Sequence, residues 1–406
     1  MRRFAIPLPF LAVVLINSGD GIANTLVPLY LDVRGYPVEV IGIIVAVYGI
    51  TSLLSRLPSG LVYRRRRARR LMYASLALQA LGTALYAVPG PALWMGAVRA
   101  FQGFAVGMST TVNMALFLDM LEPGGNRHRH LAAYASALSF GYTIGGLGGG
   151  LLGYWLDYGP SFLCAAAFPL LAALCVTSPP RRSETDPEGA RAARAAQALP
   201  RGERLRAVWT ALLHPEVALV SLVAFFLGVF HFMGQTFVPL YAQNIGLNLA
   251  EIGFLRSSHS LTNSLARPFC GELTRWMGYQ RVAMIGMVVL TVALGFTPFQ
   301  NSLLGLTVIF IFVGLARAAV LVANTVSVAD VKESTVSRGV AVGIYNAARD
   351  LGSVIGPALG GYIAAVVGLS AFFLVGPPLV LVIYAALIAI TSRAARVVQT
   401  PQEAPQ

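Results

Sequence analysis

Val27-Pro28-Leu29-Tyr30 recurs as Val238-Pro239-Leu240-Tyr241, and the offset of 211 residues then holds along the chain. Ile41-Gly42 returns as Ile252-Gly253, Arg56 as Arg267 and Gly60 as Gly271. Gly103 maps to Gly314, Asn113 to Asn324, Asp119 to Asp330, Arg127 to Arg338 and Tyr134 to Tyr345. Gly141, Gly145, Gly149 and Gly150 map to Gly352, Gly356, Gly360 and Gly361. Apolar residues match by chance often. Arg, Asn, Asp, Pro and Gly holding one register without an insertion do not. The chain is two copies of one folding unit.

Composition says what that unit is. Of 406 residues, 56% are hydrophobic and 12% charged, and the mean hydropathy is +0.69. A soluble protein carries about 25% charged residues. So few charges cannot cover a soluble surface, which excludes soluble, disordered and fibrous classes. A bilayer core takes about 20 apolar residues per helix. Twelve such spans stand out, near 5–31, 38–62, 70–89, 92–121, 131–155, 160–178, 215–242, 249–273, 281–299, 302–330, 339–367 and 370–392. The expectation is an all-α membrane protein of twelve transmembrane helices in two six-helix, pseudo-symmetric bundles, 1–178 and 215–392. A linker, 179–214, opens with Pro179-Pro180 and has room for a surface helix at 203–213. A tail follows at 393–406. The start, Met1-Arg2-Arg3 before an apolar run, mimics a signal peptide but lacks a small-residue cleavage site. It reads as the uncleaved first helix.

The net charge is +13. The basic residues sit between apolar runs of membrane length, so nucleic acid is excluded as the partner. Of the 30, 23 fall at the termini, in the central linker and in alternate loops, and only Arg34 falls in the opposite loops. Basic residues collect on the cytoplasmic side. Both termini and the linker are therefore expected in the cytoplasm of a bacterium, around its inner membrane. The run Arg64–Arg67 with Arg69-Arg70 either anchors topology or binds anionic lipid, and anchoring is preferred. Cys164, Cys175 and Cys270 show neither metal spacing nor a disulfide framework. No metal and no cofactor are expected. Walker, GxGxxG, HExxH and GxSxG patterns are missing, so the chain does not read as an enzyme. Six is an even number of crossings, so both halves share one orientation. Two such repeats are related by an axis along the membrane normal, with a substrate site near the midplane between them.

A charge at the bilayer centre costs about 2.5–3.5 kcal/mol on the insertion scale. Asp20 sits in mid-helix, and Asn17, Asp20 and Asn24 share a helix face that reads as a cavity wall. The repeat maps Asp20 onto His231 and Asn24 onto Gln235. His231 is either a substrate or proton ligand or a helix contact. Asn113 and Asn324 lie at matching depths and either bind substrate or join helices. Asp119 with Arg127 and Asp330 with Arg338 lie at matching helix ends. With Arg56 and Arg267 they read as pairs that hold the inner side closed.

At this point the chain resembles the major facilitator superfamily. Arg56-Leu-Pro-Ser-Gly60, followed by basic residues, is similar to that family's signature after helix 2, and Arg267-Pro-Phe-Cys-Gly271 is its second copy. The family's Asp four residues after the Gly is Arg64 in one copy and Arg275 in the other. Arg99-Ala-Phe-Gln102-Gly103 is similar to the helix 4 motif. Gly352, Gly356, Pro357, Gly360 and Gly361 follow the Gly/Pro pattern linked with antiporters, which the family carries in helix 5. The helix 5 copy here has Gly146 in place of the Pro. The resemblance, strongest to bacterial drug and small-molecule efflux permeases, implies alternating access. It also implies that helices 1, 4, 7 and 10 line the cavity, where Asp20 and Arg99 can pair. Protonating Asp20 would then release Arg99. The expected activity is proton-coupled export of a small, amphipathic molecule by a monomer, with substrate, protons and membrane lipids as partners. A facilitator, or an importer of a sugar or organic anion, is the alternative. A lipid flippase and a transport-dead sensor or scaffold rank lower.

Overall fold

A computed structural model describes residues 7–64, 66–120, 127–176, 214–329 and 338–399. Its helices are α1 Pro7–Val33, α2 Val38–Val62, α3 Ala68–Ala84, α4 Ala92–Met120, α5 Arg127–Leu156, α6 Tyr158–Leu174, α7 Pro215–Asn244, α8 Leu249–Met277, α9 Tyr279–Gly295, α10 Leu303–Ala329, α11 Arg338–Val367 and α12 Leu369–Gln399. Each expected span has its helix. The surface helix expected at 203–213, Asp330, and the side chains of Arg127 and Arg338 lie outside the described residues.

Eight of these helices are long and apolar enough to cross a membrane on their own. α8 is not, because four Ser, a His, an Asn and two Arg fall between 256 and 267. A helix that polar needs protein or water beside it rather than lipid. It lies between α10 of its own half and α5 of the other.

The repeat is visible as packing. Tyr30 is buried against Phe162 at 5.6 Å between ring centroids, and Tyr241 against Phe373 at 5.7 Å. Both pairs are 211 residues apart. Pro28 and Pro239 lie inside α1 and α7, where each removes one backbone donor.

Glycine decides how the helices stack. A Cβ on Gly145 of α5 would lie 2.7 Å from Gly21 Cα of α1, and one on Gly356 of α11 would lie 2.7 Å from the Val229 carbonyl of α7. The opposite faces of the same two helices join the halves. Gly150 stands against Gly253 of α8, where a Cβ would come within 2.6 Å, and Gly361 stands against Gly42 of α2 at 3.1 Å. These are again equivalent pairs. Small residues let helix backbones approach this closely.

The halves meet mainly toward the end where α1 turns into α2. There Gln243 Nε2 donates to Asp32 Oδ2 at 3.0 Å. These two residues are themselves 211 apart, so the pseudo-two-fold axis passes between them. Farther toward the termini, Ser257 donates to the Thr143 carbonyl at 2.8 Å. Farther still, Arg56 Nη1 pairs with Asp350 Oδ2 at 2.7 Å.

Candidate functional site

Asp20 lies 13 residues from either end of α1, about 20 Å along the helix each way. It is 1% exposed. Its carboxyl accepts from the Tyr48 hydroxyl of α2 at 3.1 Å to both oxygens, and from the Tyr142 hydroxyl of α5 at 3.1 Å. One side chain thus ties together three helices. Arg99, buried in α4, reaches the same cluster from another side. Its guanidinium stacks on the Tyr48 ring at 4.3 Å from the centroid. It donates to Asn24 Oδ1 at 2.7 Å and to Gln102 Oε1 at 2.8 Å. The direct Asp20–Arg99 ion pair expected from the resemblance is not formed. Tyr48 stands between them, bonded to one and stacked on the other. A phenol can do both because its hydroxyl and its π face are separate handles.

Asn24 belongs to this cluster and Asn17 does not. Asn17 Nδ2 donates back to the Val13 carbonyl of its own helix at 2.7 Å, and its Cβ faces Gly141 of α5. Asn113 likewise turns inward within its half, 3.4 Å from the Tyr134 hydroxyl.

The second half presents different chemistry at the same depth. His231 of α7 stacks on His259 of α8, 5.7 Å between centroids and 22° apart. Arg256 Nη1 donates to the Gln235 backbone carbonyl at 2.7 Å. Deeper on α8, Asn263 is 2% exposed. With its amide oxygen turned inward, it accepts from Arg267 at 3.1 Å and from Arg317 of α10 at 3.2 Å. The hydrogen-bond pattern sets that amide orientation. Two guanidiniums therefore share one neutral acceptor. Arg267 Nε and Asn324 Nδ2 are buried without a hydrogen-bond partner among the described residues. On α11, Asp350 holds Arg56 at 2.7 Å and Arg349 at 3.6 Å.

The gate residues divide. Arg56 crosses to Asp350 on α11, a partner in the other half that spacing did not single out. Asp119 accepts from Tyr63 at 2.7 Å. Gly60 and Gly271 face open space, while Gly352 presses on α7 beside Gly228 at 2.9 Å. Pro357 meets Gly42 of α2.

A half-buried ring of Asn24, Tyr48, Tyr142, His231, Arg256 and Arg317 thus surrounds the midplane where two like bundles face each other. The profile of the Major Facilitator Superfamily matches residues 9–255 and 235–406. The chain belongs to the major facilitator superfamily. Its fold is that of the superfamily's solved members. The nucleoside transporter NupG superposes with a TM-score of 0.79 at 12% identity, covering 95% of this chain and 99% of NupG. A bacterial homologue of the human lysosomal transporter Spinster, solved inward-facing and unoccupied, gives 0.76 at 15%, covering 97% and 98%. In sequence, the quinolone resistance protein NorA of Staphylococcus aureus is 24% identical over 139 residues, 34% of this chain and 36% of NorA. An MFS-type transporter of Methanocaldococcus jannaschii is 30% identical over 132 residues, 32% and 34% of the two chains. The chain thus matches about a third of the length of these relatives. The superfamily is one of transporters, not enzymes.

Within the superfamily fold, sequence reading missed Tyr48, Tyr142 and His259. A signal for two of them was present. Tyr48 and His259 are 211 residues apart, so the partner of Asp20 and the partner of His231 occupy one position of the repeat. Tyr142 maps to Ser353 and carried no such mark.

Proposed function

We propose that this chain is a secondary transporter that carries a small organic anion between its two halves by alternating access. One observation carries this reading: Arg267 and Arg317 converge on the neutral Asn263 rather than on a carboxylate. Half-buried guanidiniums that meet a neutral amide keep donors to spare, and a substrate carboxylate or phosphate would supply the charged acceptor. Arg256 and His231 stand nearby as further donors. The halves 1–178 and 215–392 would rock as units about the Gly42–Gly361 and Gly150–Gly253 contacts. The chain would lie in a bacterial inner membrane with both termini in the cytoplasm and act as a monomer.

The test is transport by the purified protein in liposomes, with labelled mono- and dicarboxylates and phosphate esters set against neutral sugars. Anions should compete with one another and neutral sugars should not. Charge-assisted hydrogen bonds contribute about 1.5–3 kcal/mol each, so Arg317→Gln should weaken apparent affinity by about tenfold or more. Equal transport of neutral compounds by wild type and variant would sink the reading.

A second reading, proton-coupled export, is favoured by the Asp20 cluster. Protonating Asp20 would remove an acceptor shared by Tyr48 and Tyr142. Each tyrosine precedes a residue at the contact between halves: Gly49 lies on Ser353 and the Thr143 carbonyl accepts from Ser257. A proton at Asp20 would then bias the packing of α2 and α5 on the other half.

A further inference from the structure

A cavity of about 940 Å³ lies away from the central site, between the end of α2 and the start of α3. Arg64, Arg66, Arg67 and Arg70 line one part of it, and Val62, Leu71 and Ala74 the rest. Among the described residues no carboxylate lines it. We infer that this cleft binds the headgroup and upper acyl chain of an anionic phospholipid from the leaflet on the side of the termini.

Three observations carry this. First, charge and apolarity are ordered along one axis. Arg67, Arg70, Leu71 and Ala74 fall on one face of α3 by the i, i+3, i+4, i+7 rule. Arg67 caps the helix and Arg70 stands in its first turn, and Leu71 and Ala74 follow as the helix enters the bundle. The neighbouring face, Ala68, Met72 and Ser75, is buried in the protein. A phospholipid has the same order, with its phosphate at the interface and its chains below. Second, the cleft suits a molecule larger than a bare ion. Its volume lies toward the upper end of organic-ligand pockets, about 300–1,000 Å³, and its floor is apolar. Third, the repeat supplies an internal control. Arg64, Arg66, Arg67 and Arg70 map to Arg275, Met277, Gly278 and Arg281. Arg275 is neutralised by Glu272 at 3.0 Å. The equivalent turn on the same side of the fold thus has two of the four arginines, one already paired. Orienting the chain does not require all four. Not every arginine of the run joins the cleft, since Arg69 Nε bonds the Tyr73 hydroxyl at 2.9 Å.

The experiment uses the full chain purified in a neutral detergent. Binding of a short-chain phosphatidylglycerol is followed by thermal stabilisation and by native mass spectrometry. Phosphatidylcholine of the same chain length, glycerol phosphate and inorganic phosphate are the comparison ligands. Phosphatidylglycerol should bind saturably and at least tenfold more tightly than any of the other three. The fourfold variant R64Q/R66Q/R67Q/R70Q should lose that preference, and R275Q/R281Q should keep it. Glycerol phosphate binding as tightly as the lipid would make this a site for a soluble anion and overturn the proposal. Equal weakening by both variants, or by neither, would leave only general attraction to a basic protein and overturn it as well. Because the fourfold variant also alters a topology signal, Ala74→Trp is the companion. It fills the apolar part of the cleft with every charge in place, and phosphatidylglycerol should bind it at least fivefold more weakly. Unchanged binding to Ala74→Trp would refute the site even if the fourfold variant could not be produced.

Discussion

The two halves of this chain place the same three positions side by side and fill them with opposite chemistry. In the first half the positions hold Asp20, Tyr48 and Arg99. In the second they hold His231, His259 and Phe310. The contacts correspond. Tyr48 bonds Asp20 and receives Arg99 on its ring at 4.3 Å. His259 stacks on His231 and receives the edge of Phe310 at 5.6 Å. The repeat therefore conserves which positions touch, because helix packing fixes that, and leaves the side chains free to diverge. The outcome is an electrical asymmetry across one cavity. The first half holds a connected acid–phenol–guanidinium cluster. The second holds Arg256 on the Gln235 carbonyl, Arg267 and Arg317 on Asn263, and Arg349 beside Asp350, with the His231 Nδ1 and Asn324 Nδ2 atoms left unpaired among the described residues. A symmetric pair of halves would offer a substrate two like surfaces. This chain offers one surface built around a carboxylate and one in which Arg267 and Arg317 share the neutral Asn263. Buried donors are left unpaired among the described residues of both, Arg99 Nε and Gln102 Nε2 in the first and Arg267 Nε and Asn324 Nδ2 in the second.

The sharpest way to break the comparison is to neutralise each member of the equivalent pair. Asp20→Asn keeps the shape and the hydrogen bonds of a neutral amide but cannot exchange a proton. Accumulation of substrate driven by a pH gradient should fall by about a hundredfold, as expected when a proton-transferring group is removed, while substrate exchange in the absence of a gradient continues. His231→Asn should reduce both together, by about tenfold, because its proposed role is to hold the anion. The two activities are measured on the same liposomes. Equal loss of both in both variants would mean that position, not chemistry, is what counts. Gradient-driven uptake untouched by Asp20→Asn would remove the proton from the mechanism and leave a facilitator.

That asymmetry bears on what a sequence can reveal. The fold was legible because every level agreed: apolar spans of bilayer length, basic residues in alternate loops, and polar landmarks in register 211 residues apart. The candidate site was legible only in part. Asp20, Arg99 and His231 stand out because charge within an apolar helix is rare. Tyr48 and Tyr142 do not, since tyrosine is unremarkable in a membrane helix. Without them the simplest geometry for Asp20 and Arg99 is a direct ion pair, and the inserted phenol is what replaces it. The Arg56–Asp350 contact was hidden for another reason. It joins residues 294 positions apart in different halves, and nothing local to either marks the other. Asn17 misled because a shared helix face was taken for a shared surface. The α1 face is wide enough to hold both Asp20's cluster and the glycine contact with α5.

A smaller effect should be equal in the two halves, which sharpens the claim that packing is what the repeat conserves. Gly145→Ala and Gly356→Ala each place a Cβ 2.7 Å from backbone of the neighbouring helix. Backbone cannot swing aside as a flexible side chain can, so the helices must part. Overpacking of this kind costs about 1–3 kcal/mol. Thermal unfolding in detergent should show a lowered midpoint of similar size for both variants. A large drop for one and none for the other would mean that the α1–α5 and α7–α11 seams are not equivalent.

The smallest effect is expected at the glycines that the signature motif makes most conspicuous. Gly60 and Gly271 have nothing within 4 Å of where a Cβ would sit, and both lie inside helices, α2 and α8. Alanine there meets no clash and has the better helix propensity, by as much as about 1 kcal/mol in an exposed helix interior. Gly60→Ala and Gly271→Ala should leave the unfolding midpoint unchanged or slightly raised, in contrast to Gly145→Ala. Transport by the same proteins separates packing from motion. In this arrangement the halves meet toward the end away from the termini, and both glycines lie toward the opposite end. Alternating access requires that end to close in turn, and a glycine that is free now would then need to be small. Transport reduced severalfold at an unchanged midpoint would place Gly60 and Gly271 in the closed contact of the other state. Transport unchanged in both would make the motif's glycines a matter of ancestry alone.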